Sequence, residues 1–182
     1  MSGFERFAIG LRIRSLFQNP YRLLSGIGLS RGHVFLDVGC GTGFLALPAA
    51  SIVGADGVVY AVDVEEDYLR EVERRAERLG LKNIVTVKTQ AENLDGVPEH
   101  SVDRAIFMLS LHHVADRNKA FLQVRRKLKE DGLMMVFDPI ASRLFGHGTD
   151  PQKVLALLKQ TGFTQVFFNK GVLFWRAIAR PV

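Results

Sequence analysis

Val34-Phe-Leu-Asp-Val-Gly-Cys-Gly-Thr-Gly43 is two signals joined end to end. Its first half is a short run of β-branched and bulky apolar residues, which predicts a buried strand. Its second half places glycine at 39, 41 and 43. Alternating glycines let a tight turn take positive φ and lie close against a ligand. The apolar Phe44-Leu-Ala-Leu-Pro-Ala-Ala50 that follows predicts a helix packed by one face. Strand, glycine turn and helix in that order make a site of the nucleotide-binding kind, at the strand's carboxyl end beside the helix N-terminus. Two variants are excluded. A dinucleotide fingerprint starting at Gly39 requires glycine at position 44, where Phe44 stands, and no Gly-Lys-Ser/Thr occurs in the chain.

The 182 residues are enough for one domain with its own core. With 47% hydrophobic against 24% charged residues, the composition excludes a disordered chain. No apolar run approaches the ~18–20 residues of a membrane span, and Met1-Ser-Gly-Phe-Glu-Arg-Phe7 lacks a signal-peptide core. A lone cysteine, Cys40, cannot form an internal disulfide, so a reducing cytoplasm is expected. The net charge of +5 is concentrated at the ends. Residues 1–33 carry five basic and one acidic residue, residues 141–182 six and one, and the middle 13 and 17. Such ends are solvated surface or the lining of an entrance for an anionic partner.

Outward from the glycine turn, Phe4, Phe7, Ala8, Leu11, Leu16 and Phe17 predict an amphipathic helix ending before Asn19-Pro20, and Tyr21–Ile27 a short second one. Gly57–Asp63 reads as a second strand ending on a carboxylate 20 residues past Gly43, the spacing at which a nucleotide fold places an acid against ribose hydroxyls. A charged helix over 66–79 follows, then strands at Asn83–Lys88 and Ser101–Met108. A helix over Arg117–Lys129 leads to a strand at Gly132–Pro139. Asp150-Pro151 opens another helix that Gly162 ends, and Phe163–Asn169 and Val172–Ala179 read as a closing strand pair.

Asp37, Gly39, Gly41 and Gly43 fill the form Asp-x-Gly-x-Gly-x-Gly, and the stretch resembles motif I of the class I S-adenosylmethionine-dependent methyltransferases. Asp103 meets the family's usual acid before the fourth strand, and Leu111-His-His-Val-x-Asp116, a helix and Leu128-Lys-x-x-Gly132 follow in family order. The resemblance covers roughly residues 20–140 and is strongest to the small-molecule, ubiquinone/menaquinone-biosynthesis-like branch. It implies an α/β Rossmann-like fold: a seven-stranded, mostly parallel sheet ordered 3-2-1-4-5-7-6, strand 7 antiparallel, with helices on both faces. It also implies a single methyltransferase domain over 1–182, with cap helices in 1–29, a cofactor core in 30–140 and a closing helix and strand pair in 141–182. S-adenosylmethionine is the implied cofactor. Asp37, Gly39 and Gly41 would cradle its methionine part, Met108 would offer backbone to the amine, Asp63 would hold the ribose, and Val64 and Ala91 the adenine. Gln90 departs from the family, which commonly has an acid there; its amide oxygen accepts a hydrogen bond without charge assistance.

The implied reaction transfers a methyl group, and an acidic acceptor also needs a base. His112 and His113 form a titratable pair just past the fourth strand, with His113 the candidate general base and His147 a further candidate. The histidines show no metal-ligand spacing, so no metal is expected. The Asn/Asp-Pro-Pro-Tyr loop of exocyclic-amine methylation is replaced by Leu109-Ser-Leu-His-His113, and no aromatic-interleaved basic stripe points to nucleic acid. A small-molecule acceptor is therefore expected. The alternatives are an RNA or protein acceptor docked by the basic ends, or a non-catalytic cofactor-binding module. The Phe4–Phe17 helix is a candidate peripheral membrane contact.

Overall fold

The computed structural model describes residues 19–143 and 147–182. The amphipathic helix expected over Phe4–Phe17 lies outside them. The described elements run α1 (Pro20–Gly26), β1 (Val34–Val38), α2 (Ala46–Val53), β2 (Val58–Asp63), α3 (Glu66–Arg78), β3 (Ile84–Lys88) and β4 (Val102–Met108). They continue as α4 (Arg117–Lys127), β5 (Leu128–Pro139), α5 (Pro151–Gln160), β6 (Phe163–Lys170) and β7 (Phe174–Pro181). A short 3₁₀ turn, Leu111–His113, carries the two histidines after β4. The seven strands form one sheet in the order β3-β2-β1-β4-β5-β7-β6, as the resemblance implies. β1 through β5 are parallel to one another, and β7 is antiparallel to both β5 and β6.

Period-2 alternation assigns each strand residue to one of two cores. On one face Leu36, Val38, Ala105, Phe107, Val136 and Trp175 meet Phe121 and Val124 of α4 and Val154 and Leu158 of α5. On the other, Phe35, Val59, Ala61, Ile106 and Met135 meet Leu24 of α1, the alanines of α2, and Leu69 and Val72 of α3. Burial on both faces explains why the central strands read as unbroken apolar runs. Helix starts follow their caps: Asn19 accepts from Tyr21 N–H, Asp116 from Lys119 N–H and Asp150 from Gln152 N–H, with proline opening α1 and α5.

Several boundaries differ from the sequence reading; β7, for one, runs Phe174–Pro181 and not Val172–Ala179, and two others bear on the site's surroundings. α4 ends at Lys127 and β5 begins at Leu128, not Gly132, because buried Leu128 pairs with Val102 before the register shifts to Arg104 opposite Leu133. α2 begins at Ala46, since the turn continues through Leu45. The amino ends of β1 and β4 are tied by Asp103, whose carboxylate accepts from Val34 N–H at 2.7 Å and Lys129 Nζ at 2.7 Å. That end of the sheet is structural; the opposite, carboxyl edge is open.

Phe121 is fully buried and meets Phe107 edge to face at 5.8 Å and Phe163 at 6.5 Å. Phe121→Ala is expected to lower unfolding free energy by about 3–5 kcal/mol in urea titrations. A loss below about 1 kcal/mol would mean that α4 is not anchored through this ring.

Candidate functional site

Strand order reverses direction at β1, with β2 on one side and β4 on the other, so the chain leaves these neighbours on opposite sides and opens a crevice at their carboxyl ends. A cleft of about 770 Å³ lies there, a volume suited to a cofactor-sized ligand. Asp37, Gly39, Gly41, Asp63, Val64, Gln90, Ala91, Met108 and His113 all line it. His147 does not; it is exposed on the loop after β5.

The floor of the cleft depends on Gly39. Its φ is +76°, and a Cβ there would stand 2.4 Å from Ser110 Cβ. Ser110 Oγ instead donates to Val38 O at 2.6 Å, while Gly39 and Cys40 N–H both donate to Val62 O. The ends of β1, β2 and the loop after β4 are thereby joined. In that loop Leu109 takes φ +54°, a left-handed conformation uncommon for a branched side chain, while its N–H donates to Phe137 O.

Asp63 holds the glycine turn from the side. Its Oδ2 accepts from Gly41 N–H at 2.8 Å and its Oδ1 from Glu65 N–H at 3.1 Å. A carboxylate has about four lone-pair directions, so two remain for a ligand. Asp37 is different. It is 2% exposed and its Oδ2 has no hydrogen-bond partner among the described residues. Burial, with a smaller push from the Asp63 charge, raises its pKa to about 7, against a partial stabilisation by the Ala46 N–H. Thr42 Oγ1, also in the cleft, is buried and unpartnered. An acceptor and a hydroxyl left unpaired in one cleft fit a ligand carrying both a cationic donor and an anionic acceptor, as an amino-acid moiety does. Glu92, the acid nearest Gln90, is engaged elsewhere: its Oε1 accepts from Asp116 N–H at 3.0 Å.

At the cleft's other end the two histidines are not equivalent. Their ring centroids are 4.0 Å apart. His112 Nδ1 lies 2.8 Å from Asp138 Oδ1, Thr149 Oγ1 donates to Asp138 Oδ2 at 2.9 Å, and Trp175 Nε1 donates to Thr149 Oγ1 at 3.0 Å. His113 has no side-chain hydrogen bond of this kind among the described residues; burial and the neighbouring His112 lower its pKa. Thr42, Ser110, Asp138, Thr149 and Trp175 were not singled out from the sequence. An acid directly after the apolar run Leu133–Phe137 is the one signal that could have found Asp138, since a buried acid needs partners. Among the described residues, no group of three or more His, Cys, Asp or Glu comes together that could hold a metal ion.

Sheet order, glycine turn and unpaired polar atoms define a class I S-adenosylmethionine-dependent methyltransferase. The chain matches the family described as a methyltransferase domain over residues 29–171, and it belongs to that family. Its backbone is similar to that of an S-adenosylmethionine-dependent methyltransferase from Aquifex aeolicus, with TM-score 0.81, 26% identity and 93% of each chain covered. Among curated relatives, it is 28% identical over 155 residues to a probable cobalt-precorrin-6B C(15)-methyltransferase (decarboxylating) of Saccharolobus solfataricus, covering 82% of this chain and 73% of that one. It is 31% identical over 112 residues to a ubiquinone/menaquinone biosynthesis C-methyltransferase of Pasteurella multocida, covering 61% of this chain and 41% of the relative.

Asp37 gives the unliganded protein a signed pH dependence. Folded, it holds its proton to about pH 7, whereas the unfolded chain releases it near 3.8. The native state therefore binds more protons between these values, and stability falls as pH rises through that window. Asp37→Asn is expected to remove this decline, so that the variant is the more stable form at pH 8 in thermal unfolding. A variant that keeps the wild-type slope would assign the decline to other groups.

Proposed function

We propose that the chain works as a single-domain, cytoplasmic enzyme that moves the methyl group of S-adenosylmethionine to a small organic acceptor. Bound in the cleft, the cofactor supplies an activated sulfonium methyl, so the hard chemistry is its own. The chain's residues bind, orient and exclude water. Orientation of this kind contributes as much as roughly 7–11 kcal/mol.

Asp37 accepts from the methionine ammonium, which replaces the missing partner of its Oδ2. Gly39 and Gly41 allow close backbone approach, the Thr42 hydroxyl offers a donor to the carboxylate, and the Met108 backbone meets the amine. Asp63 uses its remaining lone pairs on the ribose hydroxyls. Val64 and Ala91 flank the adenine, and the Gln90 amide oxygen accepts from its amino group. The observation that carries the reading is the unpartnered, buried Asp37 carboxyl facing a cleft of about 770 Å³.

The lining favours a small, uncharged acceptor. Among the described residues lining the cleft there is no lysine or arginine, so no basic track leads a polyanion to the methyl position. The relatives named for precorrin and quinone substrates support a small-molecule acceptor. The Phe4–Phe17 pattern adds a proposed approach to lipid surfaces, where an apolar acceptor would be met.

Calorimetric titration with S-adenosylmethionine and S-adenosylhomocysteine tests this site. Wild-type protein is expected to bind both in the micromolar range, and Asp63→Ala to weaken binding at least ~10-fold, the scale of a lost charge-assisted hydrogen bond. Absence of binding to wild type would overturn the reading.

A further inference from the structure

The polar chain behind His112 is separate from the cofactor cradle, and it has a direction. An indole N–H can only donate. Trp175 Nε1 therefore makes Thr149 Oγ1 an acceptor at 3.0 Å, and the single hydroxyl proton of Thr149 is left for Asp138 Oδ2 at 2.9 Å. With Oδ2 accepting, Asp138 presents Oδ1 to His112 Nδ1 at 2.8 Å. With Asp138 as the carboxylate both of its oxygens accept, Nδ1 then carries hydrogen, and the lone pair of the neutral ring sits on Nε2. Asp138 is fully buried, whereas the His112 side chain keeps 13% exposure and lines the cleft. Arg117 of α4 steadies the turn beneath it, donating from Nε to Leu111 O at 3.1 Å.

The sequence pointed to His113, but the geometry gives its neighbour the orienting partner. On the methyltransferase reading, we propose that His112 is the general base, that Asp138 is its positioning residue, and that the acceptor is an acid: a phenolic or enolic hydroxyl, or a carbon beside a carbonyl. A neutral amine attacks with its own lone pair and needs no base in the transition state; an acidic O–H or C–H does. In the balanced step the acceptor's proton goes to Nε2. The pair it leaves behind forms the new bond to the methyl carbon, and the pair of the broken sulfur–carbon bond stays on sulfur, discharging the sulfonium. The imidazolium so formed faces the Asp138 carboxylate. The other charged or titratable groups around it are His113, whose protonation is opposed by burial and by His112, His147 beyond it, Glu92, which lines the cleft and bonds Asp116 N–H, and Arg117.

The test uses the full chain labelled with ¹⁵N-histidine, His112→Gln assigning the resonances. At pH 8 wild-type His112 is expected as the Nδ1–H tautomer. In Asp138→Asn the amide oxygen must take the Thr149 proton, leaving the NH₂ to donate to Nδ1, so the ring is expected to switch to Nε2–H. S-adenosylhomocysteine affinity should stay within ~2-fold in both variants. With a hydroquinone and a primary amine as probe acceptors, methyl transfer is expected to the hydroquinone, with kcat lowered ~10²–10⁴-fold by either substitution. An Nε2–H tautomer in wild type, or transfer to the amine alone that is indifferent to His112→Gln, overturns the proposal. Failure of wild type to bind S-adenosylhomocysteine sinks the methyltransferase reading instead. Because the first readout is made on wild type, a destabilised Asp138→Asn leaves the test intact.

Discussion

The carboxyl edge of the sheet is organised by the space where residue 39 has no side chain. Parallel strands end in unpaired backbone groups, and here those of β1 are satisfied by the neighbouring chain ends: Val38 O by the Ser110 hydroxyl, and Gly39 and Cys40 N–H by Val62 O. Ser110 can reach Val38 only because nothing projects from position 39, where a Cβ would stand 2.4 Å from its own Cβ. A contact that close must shift backbone, and the backbone in question carries the cleft. Asp37, Asp63, Met108 and the histidine turn all hang from the three segments that this contact holds together.

Closing the floor so tightly has an electrostatic consequence. Asp37 lies below the turn with one oxygen unpaired, and Asp63 lies near enough to oppose its ionisation. Two acids beside a low-dielectric floor would be a poor choice for stability alone, since an unpaired buried carboxyl costs about 1–3 kcal/mol or more. They differ in how they are relieved. Asp63 accepts from two backbone N–H groups, which fix the turn. Asp37 has only the Ala46 N–H against its burial, and its pKa rises to about 7, so a cation arriving with the ligand draws it to the ionised form.

Much of this was legible in the chain. The glycine turn could be read from Asp37 to Gly43 because glycine at alternate positions has few other uses, and β2 ended on Asp63 as the spacing required. Strand order came from the resemblance, not from periodicity, which cannot say which apolar runs are neighbours. The Lys127/Leu128 boundary escaped because Ala120, Phe121, Val124 and Leu128 keep helical spacing, although Leu128 belongs to a strand. The histidine pair was visible and its asymmetry was not: nothing local to Leu111–His113 distinguishes one ring from the other. That distinction is made by Asp138, 26 residues away, through Thr149 in a loop.

The closing strand therefore does more than finish the sheet. In the antiparallel register of β5 and β7, Asp138 stands directly opposite Trp175, and Val136 opposite Ala177. Side chains of directly opposed residues share a face, so Trp175 and Asp138 project together toward the α4–α5 side. A slip of one residue would turn Trp175 to the other face and put Phe174 or Arg176 opposite Asp138. Thr149 would then lose its obligate donor, and its proton could face either way. A donor-only indole buried beside a hydroxyl and a carboxylate sets the Thr149 proton on Asp138, and with Asp138 as the carboxylate the same pattern runs on to the imidazole. Through that pattern the register of an antiparallel strand pair reaches the protonation pattern of a ring in the cleft.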